Sequence, residues 1–417
     1  MIDDSGDAET IPTSGNGPEV SSGDVAEGFG EDLLHALDLA TWTADDDLAA
    51  AYARIEAEVR DAVAQENALH HYIRRALFPR LGTYHGAPRG AGVYRANLAD
   101  LRRIHRDLLF SGRVEACDGT RQVHDTLPVT IHQIGVCLVS YLGNQGNWGR
   151  RLFRRDLRVS GGDPVAEMLE LLERREPRNG LNQTGKRDTL SELAGRGIMA
   201  YAERAILLHR SEAAWRMGHG NPAPYELITG SGNLDFMVEA TKIIRALVQG
   251  HQKFVFVTSE PSDRLTLSIG QALDPLHFAV VRSLNEVIDK TVAQGHYRMK
   301  VTVDMRWDGH TLTPGEWIAR FRDEVASQVV VGVYRATRLA PPQIFYAHVD
   351  HVDIAAHIAM ADSILQEHRG FPMLIDLAHE NCSRTFGPDT LTGPVSTAYT
   401  EAGAPFRYVS ERASRYN

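Results

Sequence analysis

The stretch Leu127 to Leu142, LPVTIHQIGVCLVSYL, constrains the chain more than any other. Val129 and Ile131, then Ile134, Val136 and Leu138, recur at period two, and the run is rich in β-branched residues, so it predicts a long strand. Just upstream, Val114-Glu115-Ala116-Cys117-Asp118-Gly119-Thr120 is a second strand-like run, and the two are expected to pair as a hairpin. Val114, Ala116 and Asp118 fall on one face of that first strand, so a carboxylate ends a face otherwise suited to a core. A carboxylate there must find a cation, a donor or water, because leaving it unpaired in a low-dielectric setting is costly. The plainer alternative is that Asp118-Gly119 is only the hairpin turn, a common use of that dipeptide.

With 417 residues and 43% hydrophobic content, the chain can bury one large core or two ordinary ones. No run approaches the roughly 18 apolar residues of a membrane span, and the N-terminus lacks the basic and apolar regions of a signal peptide. A soluble, cytoplasmic protein with no membrane partner is expected. Cys117, Cys137 and Cys382 are odd in number and lack metal-ligand spacing, so neither a disulfide framework nor a zinc site is indicated.

The net charge of −10 is concentrated at one end. Met1 to Asp32 holds nine acids and no Lys or Arg, leaving 45 acids against 44 bases in the rest. Within that nearly neutral remainder, Arg150, Arg151, Arg154, Arg155 and Arg158 cluster, as do Arg102, Arg103 and Arg106. At helical spacing such groups make a cationic ridge able to neutralise DNA phosphates; the alternative is a solvated helix face.

Residues 1–32 read as a disordered acidic tail, too poor in large apolar residues to repay ordering. Residues 33–112 read as a helical region, with Leu48, Tyr52, Ile55, Val59 and Val63 on one stripe, and Tyr94, Leu98, Leu101, Ile104 and Leu108 on another. Residues 113–417 read as the core, with a helical insertion around 150–187. Asn144 to Gly149 is expected to be a loop, and Pro164 to Arg175 a helix leading to a connector at Asn179 to Lys186. A long helix is expected from about Thr189 to Met217. Its Glu203 shares a face with Met199, Ala200, Ile206 and Leu207, where acids are rarely put; the alternative to a functional acid is a buried ion pair with a neighbouring arginine. Tyr225 to Ile228 reads as a strand, followed by a helix at Leu234 to Val248 and a strand at Phe254 to Thr258, which makes a β-α-β unit. A helix at Leu273 to Ala293 is expected next. Strands near Tyr297 to Val303, Val329 to Thr337 and Gln343 to His348 precede closing helices at Ile354 to Gln366 and from Leu374. An α/β architecture results, with a mixed ribonuclease-H-like sheet, packed helices and an N-terminal helical region.

No lysine is preceded two residues earlier by Asp or Glu, so the acid-any-lysine signature of one large nuclease superfamily is missing, and no G-x-x-x-x-G-K-[ST] loop is present, which argues against an ATPase. His348, Asp350, His351, Asp353 and His357 make a metal-like cluster that reads better as a polar strand-to-helix junction.

Gly370-Phe371-Pro372-Met373-Leu374-Ile375-Asp376-Leu377-Ala378-His379 resembles the closing motif of the NurA family of DNA-repair nucleases, a Gly-Tyr-Pro turn before an Ala-His on the final catalytic helix. Asp118-Gly119-Thr120 resembles that family's opening Asp-Gly-Ser, and Glu203 lies on a helix where the family has its glutamate. The resemblance covers the order of elements from about Val93 onward. Two positions depart from it: Phe371 stands where the family usually has tyrosine, and Thr229 where it has an aspartate of an Asp-Gly-x-Leu turn.

The resemblance implies DNA phosphodiester hydrolysis with two divalent ions, Mn²⁺ or Mg²⁺, roughly 3.5–4 Å apart. It implies Asp118 as central metal ligand and Glu203 as second, with His379 orienting water or protonating the departing oxygen. For His379 the plain alternative is a helix histidine bonded to Asp376 or Glu380. The family also implies a homodimer working with a hexameric HerA-type DNA-translocating ATPase, in break repair or defence against foreign DNA. A rival reading is a nuclease-derived subunit that has lost its metal site and serves DNA binding or assembly. Thr229 decides between them if it adjoins Asp118, with Asp235 and Glu226 as replacement acids.

Overall fold

The computed structural model describes residues 22–42, 48–125, 129–154, 193–258, 263–294 and 302–404, with 163, 165, 166 and 169. The chain divides into two compact units, Met1–Ala68 and Leu69–Asn417. In the first, α1 (Ser22–Phe29) and α2 (Leu33–Leu37) are short helices, and Asp32 caps α2 by accepting from Leu34 N at 2.9 Å. Helix α1 forms within the stretch expected to be disordered; residues 1–21 lie outside the described set. Helix α3 spans Leu48–Tyr72.

Among the described residues, the second unit is built on one nine-stranded sheet. Its nucleus is the expected hairpin, β2 (Val114–Asp125) and β3 (Thr130–Ser140), antiparallel over ten residue pairs. Every residue of β3 is buried, as a strand covered on both faces requires. Asp118 lies in the middle of β2, opposite Cys137, so the reading of Asp118-Gly119 as the hairpin turn is excluded. β4 (Gly143–Arg154) runs antiparallel to β3. This corrects two expectations, a loop at 144–149 and a helical arginine ridge beginning at Arg150. The Gly- and Asn-rich sequence has weak strand preference of its own, but pairing with a fully formed neighbour overrides it.

β5 (Trp215–His219) and β6 (Phe254–Thr258) continue the sheet parallel to β2. Beyond them β11 (Gln343–His348), β10 (Val329–Arg335), β7 (His277–Ser283) and β1 (Gly92–Arg95) are antiparallel. A separate ribbon pairs β8 (Arg306–Trp307) with β9 (His310–Thr311). The mixed sheet with helices on both faces is the expected α/β architecture.

One face carries α5 (Ile198–His209), α6 (Tyr225–Ile228), α7 (Leu234–Arg245), α9 (Leu284–Gln294) and α10 (Pro314–Glu324), packed around Leu207, Met237, Phe256 and Trp317. Helix α8 (Arg264–Gln271) covers a smaller cluster that includes Val333. The other face carries α4 (Leu98–Ile104), α11 (Val352–Ile364) and α12 (Met373–Phe386), packed around Leu101, Met360 and Ile375. Helix α13 (Pro388–Glu401) adds Leu391 and Val395 against Ile131.

The β-α-β unit exists, but its first strand is β5. Tyr225–Ile228 is a helical turn: Pro224 precedes it with φ −69°, suited to a helix start, and Thr229 N bonds Tyr225 O at 2.9 Å. Accordingly the helix expected to run to Met217 ends at His209, and Trp215 to Met217 enter β5. Similarly, Tyr94 lies in β1 rather than on a helix, and His277–Ser283 is β7 where helix was expected. In both stretches pairing within the sheet overrides a helical apolar spacing. The elements expected at 164–175 and 179–186, and residues 297–301, lie almost wholly outside the described set.

Candidate active site

β2 and β5 are paired in parallel only from Val114–Trp215 to Cys117–Gly218. The next residue on each strand is Asp118 and His219. At that point the ladder ends, and the side chains meet instead: His219 Nδ1 is 3.1 Å from Asp118 Oδ1. A second imidazole comes from the helix above, with His379 Nδ1 2.8 Å from Asp118 Oδ2. Asp118 is 3% exposed, while the side chains of His219 and His379 are 34% and 54% exposed. A buried carboxylate is thus bracketed by two imidazoles that reach solvent.

Helix α12 is fixed over the strands at both ends. At its start, Asp362 of α11 accepts from Leu374 N at 2.8 Å and from Tyr141 Oη at 2.5 Å, satisfying an N-terminal amide that the helix itself cannot. At its end, the Phe386 ring lies over Gly135 and Gly149; a Cβ on either glycine would fall 2.1 and 2.5 Å from that ring. Between them, Ile375, Ala378 and Cys382 face the core, and His379, one turn after Ile375, points at Asp118. Its Nε2 is 3.5 Å from Ser383 Oγ. Asp376 is paired with Arg369 at 2.5 Å and Glu380 lies 3.7 Å from Arg384, while the His379 ring is bonded to Asp118 rather than to either acid. Phe371 packs edge-on to His219, ring centroids 5.6 Å apart.

Burial pushes the Asp118 carboxyl up, but the hydrogen bonds and positive charge of His219 and His379 outweigh it and hold its pKa below the ordinary value. For His219, burial disfavours the charged form, yet the bond to Asp118, its charge and that of Glu203 prevail and raise the pKa. The His379 pKa is raised chiefly by its bond to Asp118.

Glu203 reaches the same strand from the other side. A Cβ on Gly119 would fall 2.6 Å from Glu203 Oε1, and Gly119 and Asp118 direct their side chains to opposite faces. Glu203 is buried and paired with Arg204. The Arg204 guanidinium also donates to Ala200 O at 3.1 Å, His219 O at 3.3 Å and Asn221 O at 2.5 Å. Burial raises the Glu203 pKa against the pull of Arg204. The ion-pair alternative for this residue is therefore the arrangement found.

The structure does not bring Thr229 to Asp118 by the route expected, since the strand beside β2 is β5 and Thr229 ends α6, its hydroxyl donating to Tyr225 O at 2.8 Å. Asp235 instead accepts from Thr302 N at 2.7 Å and Val303 N at 3.3 Å, and Glu226 lies 3.8 Å from Arg196. The sequence does not single out His219, because apolar spacing predicts a helix as far as Met217 over the start of its strand. Its one signal was position, directly before the Gly220-Asn221-Pro222 break, where a strand must stop.

Among the arginines, Arg150 pairs across from Ile134 and Arg151 from Gln133, so they emerge on opposite faces of edge strand β4. Arg154 shares the Arg150 face, and Arg151 Nε donates to Gln133 Oε1 at 2.7 Å. Arg155 and Arg158 lie outside the described residues.

Both Asp118 oxygens already accept from imidazoles, Glu203 already has a cation, and among the described residues no three His, Cys, Asp or Glu side chains are arranged to hold a metal ion. His348, Asp350, His351, Asp353 and His357 form no such group either. His348 instead accepts from Asp350 N at 3.2 Å.

No protein-family model matches the chain, and no curated protein matches it. Solved structures similar to it include the NurA nuclease from Sulfolobus solfataricus, at 9% identity and TM-score 0.43, over 84% of this chain and 98% of that one. NurA with manganese is similar at 9% identity and TM-score 0.33, over 68% and 92%. NurA bound to dAMP and manganese is similar at 9% identity and TM-score 0.31, over 67% and 88%. Over most of its length the chain is similar, at very low identity, to these solved NurA nuclease structures.

Proposed function

We propose that the protein is a DNA hydrolase that cleaves phosphodiester bonds at the Asp118 centre. The observation that carries this reading is the bracketing of one buried carboxylate by two partly exposed imidazoles from separate elements. Fold stability alone gives no reason for it, since burying a charge costs several kcal/mol that an apolar residue in the same place avoids. Each Nδ1–H bond to the carboxylate fixes the tautomer whose basic nitrogen is Nε2, the arrangement of a general acid or base.

On this reading the protein acts in the cytoplasm as a homodimer and works with a HerA-type hexameric ATPase, in DNA end processing or defence against foreign DNA. The sequence resemblance supports this much. Arg150 and Arg154, on one face of an edge strand, are proposed to contact the DNA backbone. A second reading, a DNA-binding or assembly subunit without cleavage, is favoured by the pairing of Glu203 with Arg204. Incubating pure protein with linear and circular DNA decides between them, with and without the ATPase, in Mn²⁺, Mg²⁺ or EDTA. Cleavage that Asp118→Ala abolishes supports the hydrolase, and binding without cleavage under every condition supports the second reading.

A further inference from the structure

Among the described residues, no hydrophobic side chain before Ile73 is buried, so the described part of the unit Met1–Ala68 holds no apolar core of its own. Its longest element is α3, a helix of 25 residues. Tyr52, Ile55, Val59 and Val63 lie along one stripe of that helix and are 50–62% exposed. Tyr52, Ile55, Val59, Ala62, Glu66 and Leu69 follow one another at alternating spacings of three and four, the seam of a coiled coil. Helices in proteins are held mainly by packing of their apolar face, which α3 leaves uncovered. A seam with a 3.5-residue repeat is matched by another helix and not by a sheet, whose side chains repeat every two residues.

We infer that α3 pairs antiparallel with α3 of a second copy of this chain. The inference rests on the homodimer reading above, to which it gives an interface, and stands apart from the hydrolase reading. Charge along the seam selects both the occupant and the direction. In a parallel pair Glu66 meets Glu66 of the second copy inside the seam, where two carboxylates repel and lose water. In an antiparallel pair crossing between Val59 and Ala62, Val59 faces the second copy's Ala62 and Tyr52 faces its Leu69. Each Glu66 then lies over the second copy's Ile55, and its carboxylate extends along that side chain to solvent. On the flanks Glu56 falls beside the second copy's Val63 and Glu58 beside its Gln65, so no like charges meet. The stripe is thus complementary to itself in one orientation, as a two-fold interface requires.

The experiment uses the full chain. Its three cysteines are buried, so a nitroxide attaches selectively to Ala50→Cys or to Ala64→Cys, on the side of α3 away from the seam. In the antiparallel pair position 50 lies level with position 71 of the second copy, an axial offset of about 30 Å, and position 64 with position 57, about 10 Å. Pulsed electron paramagnetic resonance at micromolar protein is expected to place the Ala50→Cys labels about 10 Å or more farther apart than the Ala64→Cys labels. Ile55→Gln combined with Val59→Gln removes the stripe and keeps helix preference. That variant is expected to weaken dimerisation, followed by analytical ultracentrifugation, by about 30-fold or more. Equal label distances at the two positions, as a parallel pair gives, overturn the inference. So does a double variant that dimerises as tightly as wild type with no spin coupling across α3, which leaves the homodimer standing on another surface. A wild-type protein that stays monomeric at micromolar concentration overturns the homodimer reading as well.

Discussion

His219 Nδ1 lies 3.1 Å from Asp118 Oδ1 because the ladder between β2 and β5 ends one residue earlier, at Cys117 and Gly218. Strand register, rather than closeness in sequence, delivers this imidazole. The same register makes the contact sensitive to anything that shifts β5 against β2.

The charge balance at this centre predicts a pH signature in stability. His219 and His379 have raised pKa values, so their contribution is fully present below about 6.5 and is lost as pH rises through their folded-state values. Asp118 is lowered, so its contribution is present above about 3.9 and is lost as pH falls through its folded-state value. Asp118→Asn should remove both dependences and lower the two histidine pKa values. Histidine ring titrations by NMR check this, and unchanged titrations in the variant would show that the three groups are not coupled.

Asp362 gives an independent test of what holds α12. It is fully buried, and burial outweighs its bonds to Tyr141 and Leu374 to bring its pKa up to about 6. A raised carboxyl stabilises fully below about 3.9 and loses that contribution as pH rises through about 6. Asp362→Asn retains an acceptor for Leu374 N without this loss. Between pH 4.5 and 7, urea unfolding of the variant should improve relative to wild type by on the order of 2 kcal/mol. A constant difference would contradict the assignment.

If the Arg150 and Arg154 face of β4 contacts DNA, removing either arginine should lessen the salt dependence of binding by roughly 0.9 in log–log slope, one phosphate contact's worth. Arg151→Ala should leave that slope nearly unchanged, because its guanidinium is bound to Gln133 on the opposite face. Affinity measured across a salt series checks both, and a larger change for Arg151 than for Arg150 and Arg154 would reverse the assigned face.

Much of the frame was legible in the sequence. Period-two patterning located the β2–β3 hairpin, and short β-branched runs located β6, β10 and β11, since buried strands cannot hide their composition. The acid on β2 and the histidine on α12 could be singled out, and the structure brings those two together. Less legible were elements whose identity depends on neighbours. β4 is a strand because β3 offers it a ladder, and Trp215–His219 is a strand because β2 and β6 flank it. His219 was missed for that reason. Glu203 stood out as a misplaced acid, and its companion, Arg204, was the adjacent residue.

The central claim is that Asp118 organises a DNA-cleaving centre. The most direct measurement compares the initial cleavage rate of a defined linear duplex by wild-type protein and Asp118→Asn at equal concentration, with folding of both checked by circular dichroism. The account predicts a loss of about 100-fold or more in the variant, as expected when two acid–base groups lose their shared anchor. Equal rates, or no cleavage by the wild-type protein, would contradict it.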